Sequence, residues 1–429
     1  MDSRVRLTVE KMAAGGLGLA RWEGRAVLLP GVLPGEEVWA EVGRVKPDLA
    51  WAEVLEVARP SPDRREPACP LYGRCGGCRL MHATYQVQPN LKAGPVFESL
   101  GRKGEIKPSP WSLFYRDRVR LQAARLGGRL TLGFHAPGSR RLVPVGFCFQ
   151  LHPRLNLRLP ALAEWAGRMS DFENAPTGFN VLVGRLDEGL AITVELPGPP
   201  SPGLTRTILE GPAAPEPAGI LFQVRERPFR TGTRLEDNRR PTILELDDPP
   251  LRLRAGPGVF TQVNGSVNEM MVRDAVALAR EMKPAAVLDL YAGLGNFALA
   301  LAPAAGRVVA VEENPVSVEA ARRNARENGM VNVVLVRGDA GRALREMAGR
   351  GERFDLVVLD PPRAGAKGLG PHLARLGAKT ILYFSCHPAA MARDLAELRS
   401  FGYTPAGLTA YDMFPQTAHL EVAARLERS

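Results

Sequence analysis

From about residue 286 onward the chain repeats one pattern: a short apolar run, a polar or glycine-rich turn, then a stretch of helical period. The runs lie at 285–293, 307–314, 332–339, 354–362 and 380–386, and residues 315–329 are typical of the helical stretches between them. A further helix is predicted over 267–282, where apolar residues recur at helical spacing. Strands alternating with helices predict a doubly wound parallel sheet. In such sheets ligands bind beyond the carboxyl ends of the strands, so the residues there are the first to read for function.

The rest of the chain is organised differently. Residues 1–58 read as short strands with glycine and proline turns, a small β-barrel. A proline- and arginine-rich stretch at 59–67 looks like a linker. Residues 59–245 mix cysteines, arginine-rich strands and turns with poor periodicity, and an α+β region is expected. Three domains follow: 1–58, 59–245 and 246–429. The 429 residues carry 45% hydrophobic and 24% charged side chains, enough for sizeable cores. A net charge of +10 favours polyanionic partners. The N-terminus lacks an apolar stretch of signal-peptide type, and no run of about 18 apolar residues occurs. A cytosolic chain is expected, with its five cysteines binding metal or doing chemistry.

The strand ends carry unusual residues. After the first run, Tyr291, Gly293, Gly295 and Asn296 form a turn whose glycines let backbone approach a ligand. Ala298 stands where a dinucleotide fingerprint would place its third glycine, which demotes a nicotinamide reading. The second run ends at Glu312, an acid suited to both hydroxyls of a ribose, and the third at Asp339, suited to an adenine amino group. Each alone would pass as a strand-end cap; three at successive ends point to an adenosyl ligand. The pattern resembles the S-adenosylmethionine-dependent methyltransferases.

Asp360-Pro361-Pro362-Arg363 ends the fourth run, since proline cannot continue a ladder. An aromatic residue at the last place would suggest methylation of an exocyclic amine, and arginine counts against that. The fifth run ends at Cys386, followed by His387-Pro388 and a helix start, where a thiolate is favoured. Near the C-terminus His419 and Glu421 flank an apolar strand and read either as exposed polar groups on an edge strand or as a base at the cleft. These groups suit one chemistry. Carbon 5 of uracil is a poor nucleophile, and addition of a thiolate to carbon 6 activates it. A base then removes the carbon-5 proton and elimination frees the cysteine. Cys386 suits the first role and Glu421 the second.

Phe260-Thr261-Gln262-Val263-Asn264, residues 288–297, 360–365, 385–388 and 412–421 occur in this order. On these motifs the chain resembles the uridine-5 RNA methyltransferase family of bacterial tRNA and ribosomal RNA enzymes, over essentially its full length. The resemblance implies a Rossmann-like class I methyltransferase domain using S-adenosyl-L-methionine. It implies that Gln262, Tyr291, Asn296, Glu312, Asp339 and Asp360 line the pocket for cofactor and target base, with Cys386 as nucleophile and Glu421 as base. Asp339 stands where some members have Asn, and His387 replaces a commoner Asn. Neither change removes a reactive group.

Cys69, Cys75 and Cys78 form a C-x5-C-x2-C run, and Cys148 stands alone. Zinc sites usually pair ligands two and two. Three close thiols plus one distant suit a [4Fe–4S] cluster better, and the resemblance implies such a cluster, fully ligated, in the central α+β domain. Residues 1–58 resemble a TRAM domain, an OB-like RNA-binding barrel, in which Arg21, Trp22 and Arg25 would contact RNA. Residues 116–120 are a second basic candidate. Large-subunit ribosomal RNA is the expected substrate of a monomeric enzyme, and a transfer-RNA T-loop uridine is the alternative. A cytosine-5 methyltransferase is disfavoured because Arg363 follows the prolines, where such enzymes carry cysteine. A non-catalytic iron–sulfur RNA-binding protein would not need Cys386, Glu421 and the strand-end acids together.

Overall fold

The computed structural model describes residues 4–212, 219–224, 230–231 and 240–428. The N-terminal region is a 6-stranded sheet in the order Arg4–Thr8, Glu37–Val45, Leu49–Arg59, Arg25–Pro30, Leu17–Trp22, Lys11–Ala13. Alternating residues such as Ala20, Val27, Leu29, Val38, Ala40 and Ala50 point to one face and form its core. Register shifts between Glu37–Val45 and Leu49–Arg59 curve the sheet around that core. The two outer strands, Arg4–Thr8 and Lys11–Ala13, do not pair with each other among the described residues. The small β-barrel expected from the sequence is seen as a strongly bent half-barrel sheet, and Val9 and Glu10, between those two strands, bond Glu36 on one side and Leu19 on the other.

The central region is a mixed 7-stranded sheet. It packs against the helices Pro153–Gly167 and Pro202–Glu210, with Trp165, Phe179, Leu155 and Ile208 in the core. The α+β expectation matches this arrangement.

The C-terminal region is an 8-stranded sheet in the order Val333–Arg337, Arg307–Glu312, Ala286–Leu290, Leu356–Leu359, Thr380–Ser385, Glu421–Arg428, Tyr403–Tyr411, Glu105–Lys107. The first five strands are parallel, as the alternating pattern predicts. The helices cover both faces, so these strands are buried twice over. Val287 and Val308 enter one core, while their neighbours Leu288 and Val309 enter the other. Among the helices of the described residues, none is long and apolar enough to cross a membrane.

Residues 59–245 are not one packing unit. The helix Gln88–Leu100 sends Ala93 and Phe97 into a core of the C-terminal sheet, and Glu105–Lys107 extends that sheet beside Tyr403–Tyr411. The hairpin Thr242–Asp247 with Pro250–Arg254 buries Leu244, Leu246, Leu251 and Leu253 in the other core. Pro95 inside the helix hid its period in the sequence.

Candidate active site

Two neighbouring strand tips bring the catalytic candidates together. Ser385 pairs with Val422 in the antiparallel ladder between Thr380–Ser385 and Glu421–Arg428. One step further along, Cys386 stands opposite Glu421. Glu421 is 3% exposed and its strand lies inside the sheet, so it is not an exposed polar residue on an edge. Asp360 follows the next strand, Leu356–Leu359, and its Oδ2 accepts a hydrogen bond from Gln262 Nε2 at 3.1 Å.

The electrostatics of this group are those of crowded, desolvated acids. Burial holds the Glu421 carboxyl well above the usual range, and the nearby Asp360 adds to the shift. Burial pushes Asp360 up to about 7, against the opposing bond from Gln262. The Cys386 thiol is also raised, first by burial, then by the charge of Glu421, and further by Asp360. The positive charge of the neighbouring Arg363 guanidinium opposes this. The helix start does not deliver the lowered thiol expected from sequence. The helix Pro388–Arg399 begins after His387, whose Nδ1 accepts the Ala390 N–H at 3.1 Å. The flanking carboxylates and burial outweigh the helix end. Arg363 is the cation beside the thiol, a placement the Asp-Pro-Pro-Arg motif did not reveal.

Around the cofactor expectation, Tyr291 ends the strand Ala286–Leu290 at φ 63, a conformation uncommon outside glycine. Burial, with Asp339 and Asp394 nearby, raises its hydroxyl to about 12. Gly295 follows at φ 93, and a Cβ there would lie 2.8 Å from Leu299 Cγ. Beneath the turn, the fully buried Asp289 accepts the Ala298 N–H at 2.9 Å. Glu312 accepts N–H groups from Gly293 at 2.9 Å and Asn314 at 2.7 Å, which ties two strand-end turns together. Asn296 exchanges amide bonds of 2.9 Å with Asn268 on the helix Gly265–Met282. Asp339 is exposed and caps the helix Ala340–Gly349 through the Arg342 N–H at 2.8 Å. Asp289 was missed by sequence reasoning, although an acid inside an apolar strand was a visible signal.

The loop before Glu421 is held from below. Asp412, 0% exposed, pairs with the buried Lys92 and accepts the Tyr85 hydroxyl at 2.9 Å. Gln416 sits at φ 67, and its side chain bonds Gln88, Arg65 and Ser112. Its carbonyl accepts the N–H groups of Arg79 and Leu80, immediately after Cys78. His419 lies edge-on to Phe414.

Cys69, Cys75, Cys78 and Cys148 line one cavity of about 100 Å³. Gln150 donates to Cys78 Sγ at 2.8 Å and the Gly77 N–H to Cys75 Sγ at 3.4 Å. Burial raises the thiols of Cys75, Cys78 and Cys148, and each also feels a neighbouring cysteine. Among the described residues, no three His, Cys, Asp or Glu side chains gather as ligands of a single ion. Arg116 forms a wall of this cavity, and Arg120 pairs with Glu195 at 2.7 Å, so residues 116–120 do not present one basic face. Trp22 packs against the N-terminal core with Arg25 6.0 Å from its ring, and Arg21 lies 3.8 Å from Glu10.

Residues 227–429 match the family model of tRNA (Uracil-5-)-methyltransferase. The 23S rRNA (uracil(1939)-C(5))-methyltransferase of Klebsiella pneumoniae subsp. pneumoniae is 34% identical, over 99% of this chain and 96% of its own. The enzyme of that name from Pseudomonas savastanoi pv. phaseolicola is 35% identical, over 99% and 94%. Among solved structures, the Pyrococcus abyssi tRNA (uracil-54, C5)-methyltransferase in complex with S-adenosyl-L-homocysteine shares the fold. Its TM-score is 0.74 at 24% identity, covering 98% of this chain and 100% of that one. With strand tips that join a thiol, two desolvated carboxyls and a guanidinium, and with full-length relatives at this identity, the chain belongs to the RNA (uracil-C5)-methyltransferase family.

Proposed function

We propose that this protein methylates carbon 5 of a uridine in large-subunit ribosomal RNA through a covalent adduct of Cys386. The single observation that carries the mechanism is the meeting of Cys386, Glu421, Asp360 and Arg363 at adjacent strand tips. Cys386 passes its proton to a neighbouring carboxylate and its sulfur bonds carbon 6 of the uracil. The electron pair displaced from the ring double bond makes carbon 5 nucleophilic. S-adenosylmethionine, when bound, supplies the electrophilic methyl. Glu421 removes the proton from carbon 5, the sulfur–carbon bond breaks, and Cys386 leaves. Gln262 and Asp360 hold the uracil edge, and Arg363 favours the thiolate. Tyr291, Asn296, Glu312 and Asp339 are proposed to bind the cofactor. Glu312 and Asp339 each keep carboxylate acceptor capacity beyond the backbone bonds they already make.

We further propose that the four-cysteine cavity takes a [4Fe–4S] cluster, which Cys69, Cys75, Cys78 and Cys148 would hold. The donor set is all sulfur, and N–H groups point at two of the sulfurs. Bound there, the cluster would tie the loop of Cys69–Cys78 to Cys148, with no part in methyl transfer. The large-subunit assignment is supported by the names of the full-length relatives, and a T-loop uridine of tRNA is the second reading, in keeping with the description of the matching family model.

The test is tritium release from RNA labelled at carbon 5 of uridine, with ribosomal and transfer RNA supplied separately. Release from 23S rRNA dependent on S-adenosylmethionine is expected. Release from tRNA alone would move the substrate, and no release from either would remove the function.

A further inference from the structure

Cys386 has a second side. With Arg363, His387 and His419 it lines a cavity of about 260 Å³ to whose lining Glu421 and Asp360 do not belong. The far wall is the hairpin of the N-terminal half-barrel, residues 12–16, and the floor is helix Gln88–Leu100 through Leu91 and Pro95. Three regions distant in sequence therefore enclose one space beside the nucleophile.

The hairpin is fastened in this position. Arg79 Nη1 donates to the Gly15 carbonyl at 2.9 Å, and Lys11 Nζ bonds Glu98 Oε2 at 2.8 Å. Gly16 lies so close to the loop before Glu421 that a Cβ there would stand 2.9 Å from Ala418 Cβ. The lining joins apolar surface (Met12, Leu91, Pro95) to two imidazoles and a guanidinium. His419 feels the cations Arg363, Arg79, Arg116 and Lys92, which, after burial, hold its ring neutral by lowering its pKa. A neutral imidazole stacks on a base, and the surrounding cations attract phosphate. The half-barrel residues expected to touch RNA, Arg21, Trp22 and Arg25, line no part of this cavity.

We propose that this cavity receives a nucleotide flanking the target uridine, its base between the hairpin and His419, so that the half-barrel completes the active site rather than only tethering RNA. The proposal rests on the uridine-methylating reading above. A single-stranded neighbour extruded with the target would fill the space, and a paired one could not enter it.

The test uses full-length protein and an in-vitro transcript of the large-subunit domain carrying the target. Ala14 is exposed at the hairpin tip, so Ala14→Trp should fold while filling the cavity. KM for the transcript should rise about tenfold, the scale of one lost base stack, with S-adenosylmethionine affinity unchanged. His419→Ala should raise KM in the same direction. Synthetic transcripts with one abasic residue on either side of the target should show, for one side only, the same loss in wild type and no further loss in Ala14→Trp. Unchanged KM in Ala14→Trp, or additive losses with both abasic positions, would overturn the proposal. If wild-type protein forms no 5-methyluridine, the methylation reading fails, and the pocket claim with it. Normal wild-type turnover with an indifferent Ala14→Trp removes the pocket alone.

Discussion

Cys386 and three thiols of the central region, those of Cys75, Cys78 and Cys148, are all raised but sit in opposite surroundings. At the strand tip one sulfur faces two carboxyls and one guanidinium. In the central cavity sulfurs face each other, with amide donors at two of them and Arg116 in the wall. A thiol among titrating acids can gain and lose a proton within a reaction cycle. A cluster of thiols with no carboxylate among them is suited to a metal group that binds them as thiolates. The same residue type thus sits among titrating acids in one place and among other thiols in the other, which is why the proposed roles, nucleophile and ligand, differ.

The comparison breaks most directly at the nucleophile. Cys386→Ala should reduce 5-methyluridine formation by on the order of 10⁴-fold or more, with S-adenosylmethionine binding intact by calorimetry. Retained turnover would show that the two sulfur environments do not differ in purpose. Glu421→Gln should slow turnover by about 10²–10⁴-fold and accumulate a protein–RNA adduct on denaturing gels. If no adduct builds up, the carbon-5 proton leaves by another base.

At the other site, Cys75→Ser should lower iron and sulfide from about four per chain in protein purified without oxygen. Its melting temperature should fall by roughly 5 °C or more, while Cys386 still forms an adduct with 5-fluorouridine RNA. Full iron and sulfide content in that variant would sink the ligand assignment. The smallest effect sharpens the electrostatics. Because Cys386 and Glu421 are both raised, the fraction of thiolate and of carboxylate grows with pH, so kcat/KM should climb through neutrality into the alkaline range. Arg363→Ala removes the group that lowers the thiol, so its rising limb should move to higher pH. A plateau already reached at neutral pH, or an unmoved limb, would show that the thiol is not held up by its neighbours.

The parallel sheet and the residues at its tips were legible in the sequence because a doubly buried strand needs an unbroken apolar run and must stop at a polar turn. The same local rule exposed Asp360, Cys386 and the three-cysteine run, whose chemistry is carried by residue type and spacing. What tertiary structure alone decided was company. The ladder register set Cys386 opposite Glu421, buried that acid inside the sheet and raised both, where the helix start by itself argued for a lowered thiol. It also carried residues 88–107 across to the C-terminal sheet and set the hairpin of the N-terminal half-barrel beside Cys386. Desolvation and charge act through space, so their outcome depends on which distant segments fold against a group, and no local pattern in the chain encodes that.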